Sequence, residues 1–363
     1  MELPRVAGHL FLSDGLPRVD WDAVGPRIVA QVPEAGLHAA WTAAAREWLG
    51  ALRESLGAYR VDESENFLLL SAFPPRTAAN LVSFLERSRA RILDKLLPGI
   101  ADGGRPGKQV AISIDDIETY YSYIAHYYPP EGHFSVSGGV TVGARHGGNG
   151  WGYGHFVVHG TDVQTAERVI VHELTHDLVS HRSIPAWLNE GLATTVESLL
   201  MGDPALAVVP EDIEDLRAQW REGGIQEFWS GASVHRPDDG SRLTYLLGRM
   251  AVKALSYDYE RFREFVVRAD RADAGESAAV HVYGRGLGGL IEQFLGRGAW
   301  TPLPETWARH AAEPPPVRTP PTSPTPYDVT RESSTARVEL GTGSVDAGSF
   351  RWQGVTWNAG PGT

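Results

Sequence analysis

Residues 161–197 read TDVQTAERVIVHELTHDLVSHRSIPAWLNEGLATTVE. In the first half of this stretch apolar side chains recur every three or four residues, which is the spacing of one buried helical face. Thr161 and Gln164 have the spacing of a capping box, so the first helix is predicted to begin there. A second helix is predicted from Pro185, a residue that a first helical turn tolerates, to about Leu200.

The first helix carries the pattern His-Glu-x-x-His at residues 172–176. Two histidines four residues apart lie one turn above each other, about 40° apart around the helix axis. His172 and His176 are therefore able to bind a single metal ion. Glu173 lies about 100° further round than His172, where it could accept a proton from a water molecule on that ion without binding the ion itself.

The second helix supplies the carboxylates. Glu190 and Glu197 are seven residues apart, so two full turns place them on the same face. Glu190 is expected to complete a zinc site of two histidines and one carboxylate, and Glu197 is expected to lie one layer behind it. Gly191 should let the two helices approach closely. We expect one zinc ion per chain.

The alternative to a metal site is a surface helix with two solvated histidines. A His-Glu-x-x-His pattern arises by chance in a chain of this length on the order of once in a hundred. The helical context and the carboxylate at a workable distance favour the metal site.

These residues resemble the motifs of the gluzincin metallopeptidases. VIVHELTH at 169–176 and WLNEGLA at 187–193, followed by Glu197, are similar to the aminopeptidase and leukotriene-hydrolase branch and to the shorter bacterial peptidase-MA-like group. The 13 residues between His176 and Glu190 resemble the compact spacing of the second group. A metzincin would instead have Gly at the position of Val179 and His at that of Arg182. The likeness covers roughly residues 65–307 and is weak outside the two motifs.

The resemblance implies a role for each matching residue. His172, His176 and Glu190 would be metal ligands, Glu173 the general base, and Glu197 a second-layer residue. Tyr245, followed by Gly248, resembles the family's Tyr-x-x-Gly, in which the tyrosine donates a hydrogen bond to the developing oxyanion; His235 is the alternative donor. Either residue could instead be structural, since a tyrosine on an amphipathic helix is usually core and a loop histidine is usually solvated.

Substrate is expected to bind along a glycine-bearing strand. Gly138, Gly139 and Val140 begin a segment that reads as a sheet edge, which a peptide backbone could approach because glycine has no side chain; a plain hairpin is the alternative. Aminopeptidases of the resembled family have Gly-x-Met-Glu-Asn in the corresponding strand, whose glutamate pairs with the substrate ammonium. Residues 138–142 contain no acidic residue, so we expect an endopeptidase.

Composition narrows the partners and the location. With 33 basic and 45 acidic residues the formal net charge is −12, which argues against nucleic acid and against an anionic membrane surface. There are no cysteines, which excludes disulfides and thiolate zinc sites. The segment Met1–Pro17 has no signal-peptide pattern, and no apolar run approaches the length of a membrane span. These features predict a cytoplasmic protein that acts on a peptide or protein and leave its oligomeric state open.

The predicted organisation has four parts. Residues 1–60 form an N-terminal helical extension, 61–312 the metallopeptidase domain, 313–326 a linker rich in Pro, Thr and Ser, and 327–363 a flexible tail. Strand and helix patterns alternate ahead of the metal helix, and helical patterns follow it. The fold class is therefore predicted to be α+β. The resemblance implies that a small mixed sheet roofs a largely helical zincin domain.

The predicted function is zinc-dependent hydrolysis of peptide bonds. Two other classes stay open: hydrolysis of a bond other than a peptide bond, as one branch of the resembled family does with an epoxide, and a catalytically idle module in which zinc only stiffens a binding surface. Glu173 argues against the idle module, since a structural zinc site needs no base. An aminopeptidase of the same fold is the third alternative.

Overall fold

The computed structural model describes residues 5–128, 132–135, 137–143, 153–160, 162–202, 208–221, 223–309, 345–346, 349–352 and 355–358. The fold is α+β, as predicted, with small sheets and a larger helical part. Among these residues, no helix has both the length and the apolar composition that a membrane crossing requires.

The helices of the described residues follow in chain order: α1 Trp21–Gln31, α2 Leu37–Leu56, α3 Pro75–Arg91, α4 Ile117–Ala125, α5 Val163–Val179, α6 Ala186–Met201, α7 Pro210–Gln219, α8 Ile225–Ser230, α9 Gly240–Leu255, α10 Tyr259–Arg268, α11 Glu276–Tyr283 and α12 Leu287–Leu295. The strands are β1 Leu10–Ser13, β2 Leu16–Val19, β3 Arg60–Glu63, β4 Phe67–Ser71, β5 Gln109–Ile114, β6 Gly132–Ser135, β7 Gly139–Gly143, β8 Gly154–His159, β9 Val345–Asp346, β10 Ser349–Trp352 and β11 Val355–Asn358.

A five-stranded mixed sheet organises the fold, with its strands in the order β3-β4-β5-β8-β7. The three central strands are parallel, and β3 and β7 run antiparallel to them at the two edges. The central strands β4 and β5 are buried at every residue, which is why both read as nearly continuous apolar runs. Strand β7 is thus an outer strand of this sheet.

Each face of the sheet has its own hydrophobic core. Phe67 and Leu69 of β4 pack on one face with side chains of α3 and α5, and this core extends into the later helices. Leu68 and Leu70 pack on the other face with side chains of α2 and of the β1–β2 hairpin. The segment 1–60, predicted as a helical extension, therefore contributes to a core that it shares with the sheet.

The start of α5, the helix that carries His172 and His176, differs from the prediction. The residue that caps α5 is Asp162, whose Oδ1 accepts a hydrogen bond of 2.9 Å from the backbone N–H of Thr165. The predicted capping residue, Thr161, lies outside the described residues. The cap is one residue later because the aspartate carboxylate is itself a strong acceptor for an unpaired N–H of a first turn. The second predicted helix is confirmed as α6, which follows Pro185 directly.

Part of the segment 327–363, predicted to be a flexible tail, lies in three strands of the described residues, and its flexibility stays a prediction. Strands β9, β10 and β11 form an antiparallel meander, and β11 pairs in parallel with β6. The alternation of apolar residues at 350, 352, 355 and 357 is consistent with strands, but a partner strand some two hundred residues earlier leaves no local signal. The predicted linker at 313–326 lies outside the described residues.

Candidate metal centre

Three predicted ligand atoms converge between α5 and α6. Oε2 of Glu190 lies 3.3 Å from Nε2 of His172 and 3.3 Å from Nε2 of His176. Ligand atoms bound to a tetrahedral zinc at about 2.0–2.1 Å are themselves about 3.3 Å apart, so the spacing fits such an ion. Within the described part of the chain, these three residues are the one group of His, Cys, Asp and Glu side chains that could hold a metal.

The hydrogen bonding of Glu190 points the same way. Its Oε2 is buried and accepts no hydrogen bond of good geometry, although an imidazole nitrogen of each histidine lies 3.3 Å away. A buried carboxylate oxygen without a partner is costly. A cation held between the three atoms would remove that cost, so the residues present fit a metal ion.

The charges of the three triad residues strongly shift one another's pKa values. Burial by itself lowers the pKa of His172, but Glu190 and Glu197 outweigh it and raise that pKa to about 10. The pKa of His176 is also raised, because the charge of Glu190 exceeds the effect of burial. Burial raises the pKa of Glu190, yet the two histidines hold it far below its usual range. In the metal-free protein, a proton on His172 would therefore compete with a metal ion for the ring nitrogen.

Glu197 lies one layer behind His172, where the sequence expectation puts it. Its Oε2 is 3.3 Å from Nδ1 of His172, and its Oε1 is 2.9 Å from the guanidinium of Arg168. The contact at Nδ1 leaves Nε2 of His172 directed towards Glu190. Arg168 was not predicted as a site residue, although its place four residues before His172 puts it on the same helical face.

Glu173 is directed towards the outer strand β7. Its side chain is only 6% exposed, and Oγ1 of Thr141 lies 2.7 Å from its Oε2. Its other oxygen, Oε1, lies beside Gly139, where an added Cβ would be 2.9 Å away. That Cβ would also be 2.5 Å from a methyl group of Val169, so only glycine allows β7 to approach α5 this closely.

The three predicted substrate-binding residues do not present their backbones equally. The carbonyl of Gly138 accepts a hydrogen bond of 2.8 Å from the N–H of His159, so it faces β8. In an antiparallel pair the backbone groups alternate in direction, so those of Val140 also face β8 and those of Gly139 and Thr141 face outward. Gly139 is thus the one predicted residue whose backbone faces away from β8, and its carbonyl accepts a hydrogen bond from the hydroxyl of Ser137. Thr141, which the sequence analysis missed, is the second.

Two tyrosines lie near the triad. The ring of Tyr245 on α9 is centred 6.0 Å from the ring of His172, and burial together with Glu190 and Glu173 raises its pKa well above the usual range. Burial raises the pKa of Tyr128 as well, and the charges of Glu173 and Glu190 raise it further. Tyr128 follows α4 and carries no local signal in the sequence that would separate it from the buried tyrosines of that helix. His235, on the turn Ala232–His235, is exposed.

Gly191 permits a close approach, but its partner is α9 and not the metal helix. An added Cβ on Gly191 would lie 2.6 Å from the carbonyl oxygen of Gly248, and one on Gly248 would lie 2.8 Å from that of Trp187. The expectation that Gly191 brings α5 and α6 together is therefore wrong. The two glycines instead bring α9, with Tyr245, against the helix that carries Glu190.

No family model, curated protein or solved structure matches this chain.

Proposed function

We propose that the chain is a zinc-dependent endopeptidase and a distant relative of the gluzincins. The observation that supports this most directly is the triad itself, in which one carboxylate oxygen lies 3.3 Å from two imidazole nitrogens and has no hydrogen bond of its own. His172, His176 and Glu190 would hold the zinc ion. Bound there, zinc would polarise the scissile carbonyl and make water acidic enough to lose a proton near neutral pH.

Glu173 would act as the general base. Thr141 holds Oε2 of its carboxylate, and no other hydrogen bond to this carboxylate is present among the described residues, so Oε1 is left for proton transfer. Oε1 would accept the proton of the attacking water and afterwards deliver it to the leaving nitrogen. Because Oε1 lies beside Gly139, that proton transfer would occur next to the outer strand.

Strand β7 would orient the substrate. The backbone groups of Gly139 and Thr141 face away from β8. The carbonyl of Gly139 already accepts a hydrogen bond from the hydroxyl of Ser137, so an extended peptide could pair with the N–H of Gly139 and with the backbone of Thr141 as an added strand. The phenol of Tyr245 would donate a hydrogen bond to the oxyanion that forms as water attacks.

The endopeptidase assignment is supported by the side chain at position 141. In the resembled aminopeptidases the fourth residue of the corresponding strand motif is the glutamate that pairs with the substrate ammonium. In this chain that residue is Thr141, whose hydroxyl is directed to Glu173. The described residues of β7 thus contain no carboxylate for a free amino terminus, which favours cleavage within a chain.

One experiment tests the chemistry. Purified protein is incubated with a peptide library, before and after removal of metal with a chelator and after zinc is added back, and products are identified by mass spectrometry. Cleavage that disappears with the chelator and returns with zinc is expected. Glu173→Gln should retain zinc and lose ~10²–10⁴-fold in kcat, because the amide cannot accept the proton. The matched control is Glu264→Gln, in an exposed ion pair remote from the triad; normal turnover by Glu173→Gln would contradict the mechanism.

A second experiment tests the cleavage mode. One peptide is supplied with a free and with an acetylated amino terminus, and both forms should be cut internally at similar rates. Stepwise release of single residues from the free form alone would identify an aminopeptidase. A cytoplasmic location, expected from the sequence, remains part of the proposal and is tested by cell fractionation.

A further inference from the structure

Arg168 begins a chain of contacts that ends at the candidate metal ligands. Its guanidinium lies 2.9 Å from Oε1 of Glu197, and Oε2 of the same carboxylate lies 3.3 Å from Nδ1 of His172. Nε2 of His172 then faces Glu190. One carboxylate thus joins an arginine and a ligand histidine, each through a different oxygen.

The contact also joins the two helices that bear the ligands. Arg168, His172 and His176 are spaced by four and form one stripe along α5, whereas Glu190 and Glu197 form the facing stripe on α6. Basic side chains of α5 and carboxylates of α6 alternate across the helix pair in the order Arg168, Glu197, His172, Glu190 and His176. Arg168 is the end of this row that lies furthest from the site.

Glu197 keeps a fixed orientation only if Oε1, the oxygen that does not face His172, also has a partner. A glutamate side chain has several rotamers of similar energy, and ordering it costs conformational entropy. The contact with Arg168 restrains that freedom, because a guanidinium and a carboxylate form a directional, charge-assisted pair. The hydrogen bond at Nδ1 in turn determines which nitrogen of His172 is free to bind a metal.

We infer that Arg168 is a positioning residue for the metal centre: it holds Glu197 in the orientation that fixes the tautomer of His172. The inference rests on the proposed function, because it presupposes that the triad binds zinc. Arg168 would act on the metal centre through Glu197, without binding the metal or the substrate itself. Its side chain is 43% exposed, so its removal leaves no cavity and its effect is open to screening by salt.

The test measures zinc affinity, by competition with a chromophoric chelator, and not peptidase activity. Glu197→Ala should bind zinc ~10–100-fold more weakly, the usual consequence of losing a partner of a ligand histidine. Arg168→Ala should bind it several-fold to about tenfold more weakly, since the carboxylate remains but is no longer held. Arg168→Lys should recover part of that loss. The difference between wild type and Arg168→Ala should shrink as salt is raised from low to high concentration.

A double-mutant cycle separates this role from a general effect on stability. If Arg168 acts through Glu197, the double variant should bind zinc as weakly as Glu197→Ala alone. Arg268→Ala is the matched control: its ion pair with Glu264 is also 2.9 Å long and its side chain is 51% exposed, but it lies on α10, outside the row of charges. The control should bind zinc as wild type does.

Two results would overturn the inference: an unchanged zinc affinity of Arg168→Ala, or losses that add in the double variant. Failure of the proposed function has a different signature, namely a wild-type protein that binds no zinc at all. A 15N spectrum of the zinc-loaded imidazoles gives an independent readout. In wild type, His172 should show a single form protonated at Nδ1, and Arg168→Ala should broaden or shift that signal without loss of fold.

Discussion

Tyr245 on α9 lies next to the ring of His172. We propose that its phenol donates a hydrogen bond to the oxyanion. Replacing Tyr245 by Phe removes one hydrogen-bond donor and keeps the ring. We expect kcat to fall ~100-fold or more, as for other donors of this kind, while zinc content and melting temperature stay unchanged.

Two variants provide the comparison, because two other side chains could donate in its place. Tyr128→Phe removes the second phenol near the carboxylates, and His235→Ala removes the exposed imidazole. Both should retain most of the activity. If Tyr128→Phe or His235→Ala causes the large loss and Tyr245→Phe does not, the residue replaced in that variant is the oxyanion donor.

The raised pKa of His172 predicts that zinc binding releases protons. In the metal-free protein this pKa is about 10, above the ordinary value of 6.5, so the imidazole is protonated at pH 7. Zinc binds only the neutral ring, so each zinc bound at pH 7 should release the proton of His172. Affinity should therefore rise with pH up to about 10 and fall as pH is lowered.

The same shift has the opposite effect on the stability of the metal-free protein. The stability that a histidine with a raised folded-state pKa contributes is fully present below pH 6.5 and is lost as pH rises through about 10.

Proton release on zinc binding is measured directly by calorimetric titration of zinc at one pH, in two buffers of different ionisation enthalpy. A heat that is equal in both buffers would show that the imidazoles are already neutral.

At the scale of helices, the crossing of α6 and α9 positions both Glu190, the proposed ligand, and Tyr245, the proposed oxyanion donor. Gly191 and Gly248 meet at this crossing, where an added Cβ would lie 2.6–2.8 Å from backbone carbonyl oxygens. Backbone atoms cannot yield as a flexible side chain can, so the helices would have to separate. Glu190 adjoins Gly191, and Tyr245 lies one turn before Gly248, so the separation would displace both functional groups.

Gly248→Ala is therefore expected to destabilise the fold by ~1–3 kcal/mol, the usual cost of overpacking, and to lower kcat in the fraction that remains folded. The matched control is Gly50→Ala in α2, where an added Cβ meets nothing within 4 Å. That substitution should be neutral or stabilise the protein by up to ~1 kcal/mol. Thermal unfolding and kcat of both variants make the comparison, and equal behaviour would show that the crossing tolerates separation.

At the scale of the whole molecule, the two hydrophobic cores lie within residues 5–309, and the described tail strands pair with β6 and also contact α4. Truncation at Ala312 should therefore leave the fold intact, with a change in melting temperature of no more than ~4 °C, equivalent to about 1 kcal/mol. Hydrogen exchange should increase at 132–135, which lose the pairing with β11. A much larger fall in melting temperature would show that the tail completes a core.

Activity of the truncated protein is the second measurement, because β6 is separated from β7 by only three residues. Unchanged kcat and KM are expected if β7 is held by β8 and α5 alone. An increase in activity would instead indicate that the tail strands restrict access to the outer strand.

The sequence by itself determined the local part of this protein. The periodicity of 163–179 and the proline before 186 were enough to predict α5 and α6, because helical spacing is written in consecutive residues. The relative positions of His172, Glu173 and His176 followed from the same spacing, and so did the placement of Glu190 and Glu197 on one face. Each of these predictions depends on the turn of a single helix.

Only the tertiary structure decided which surfaces meet. Thr141 beside Glu173, Gly248 against Gly191, and β11 beside β6 join residues 32, 57 and more than two hundred positions apart, and no local propensity specifies such pairs. The packing of 1–60 on the second face of the sheet belongs to the same class. Side-chain type and spacing encode the chemistry that a helix can present. The packing of two buried surfaces against each other decides which other groups lie beside that helix.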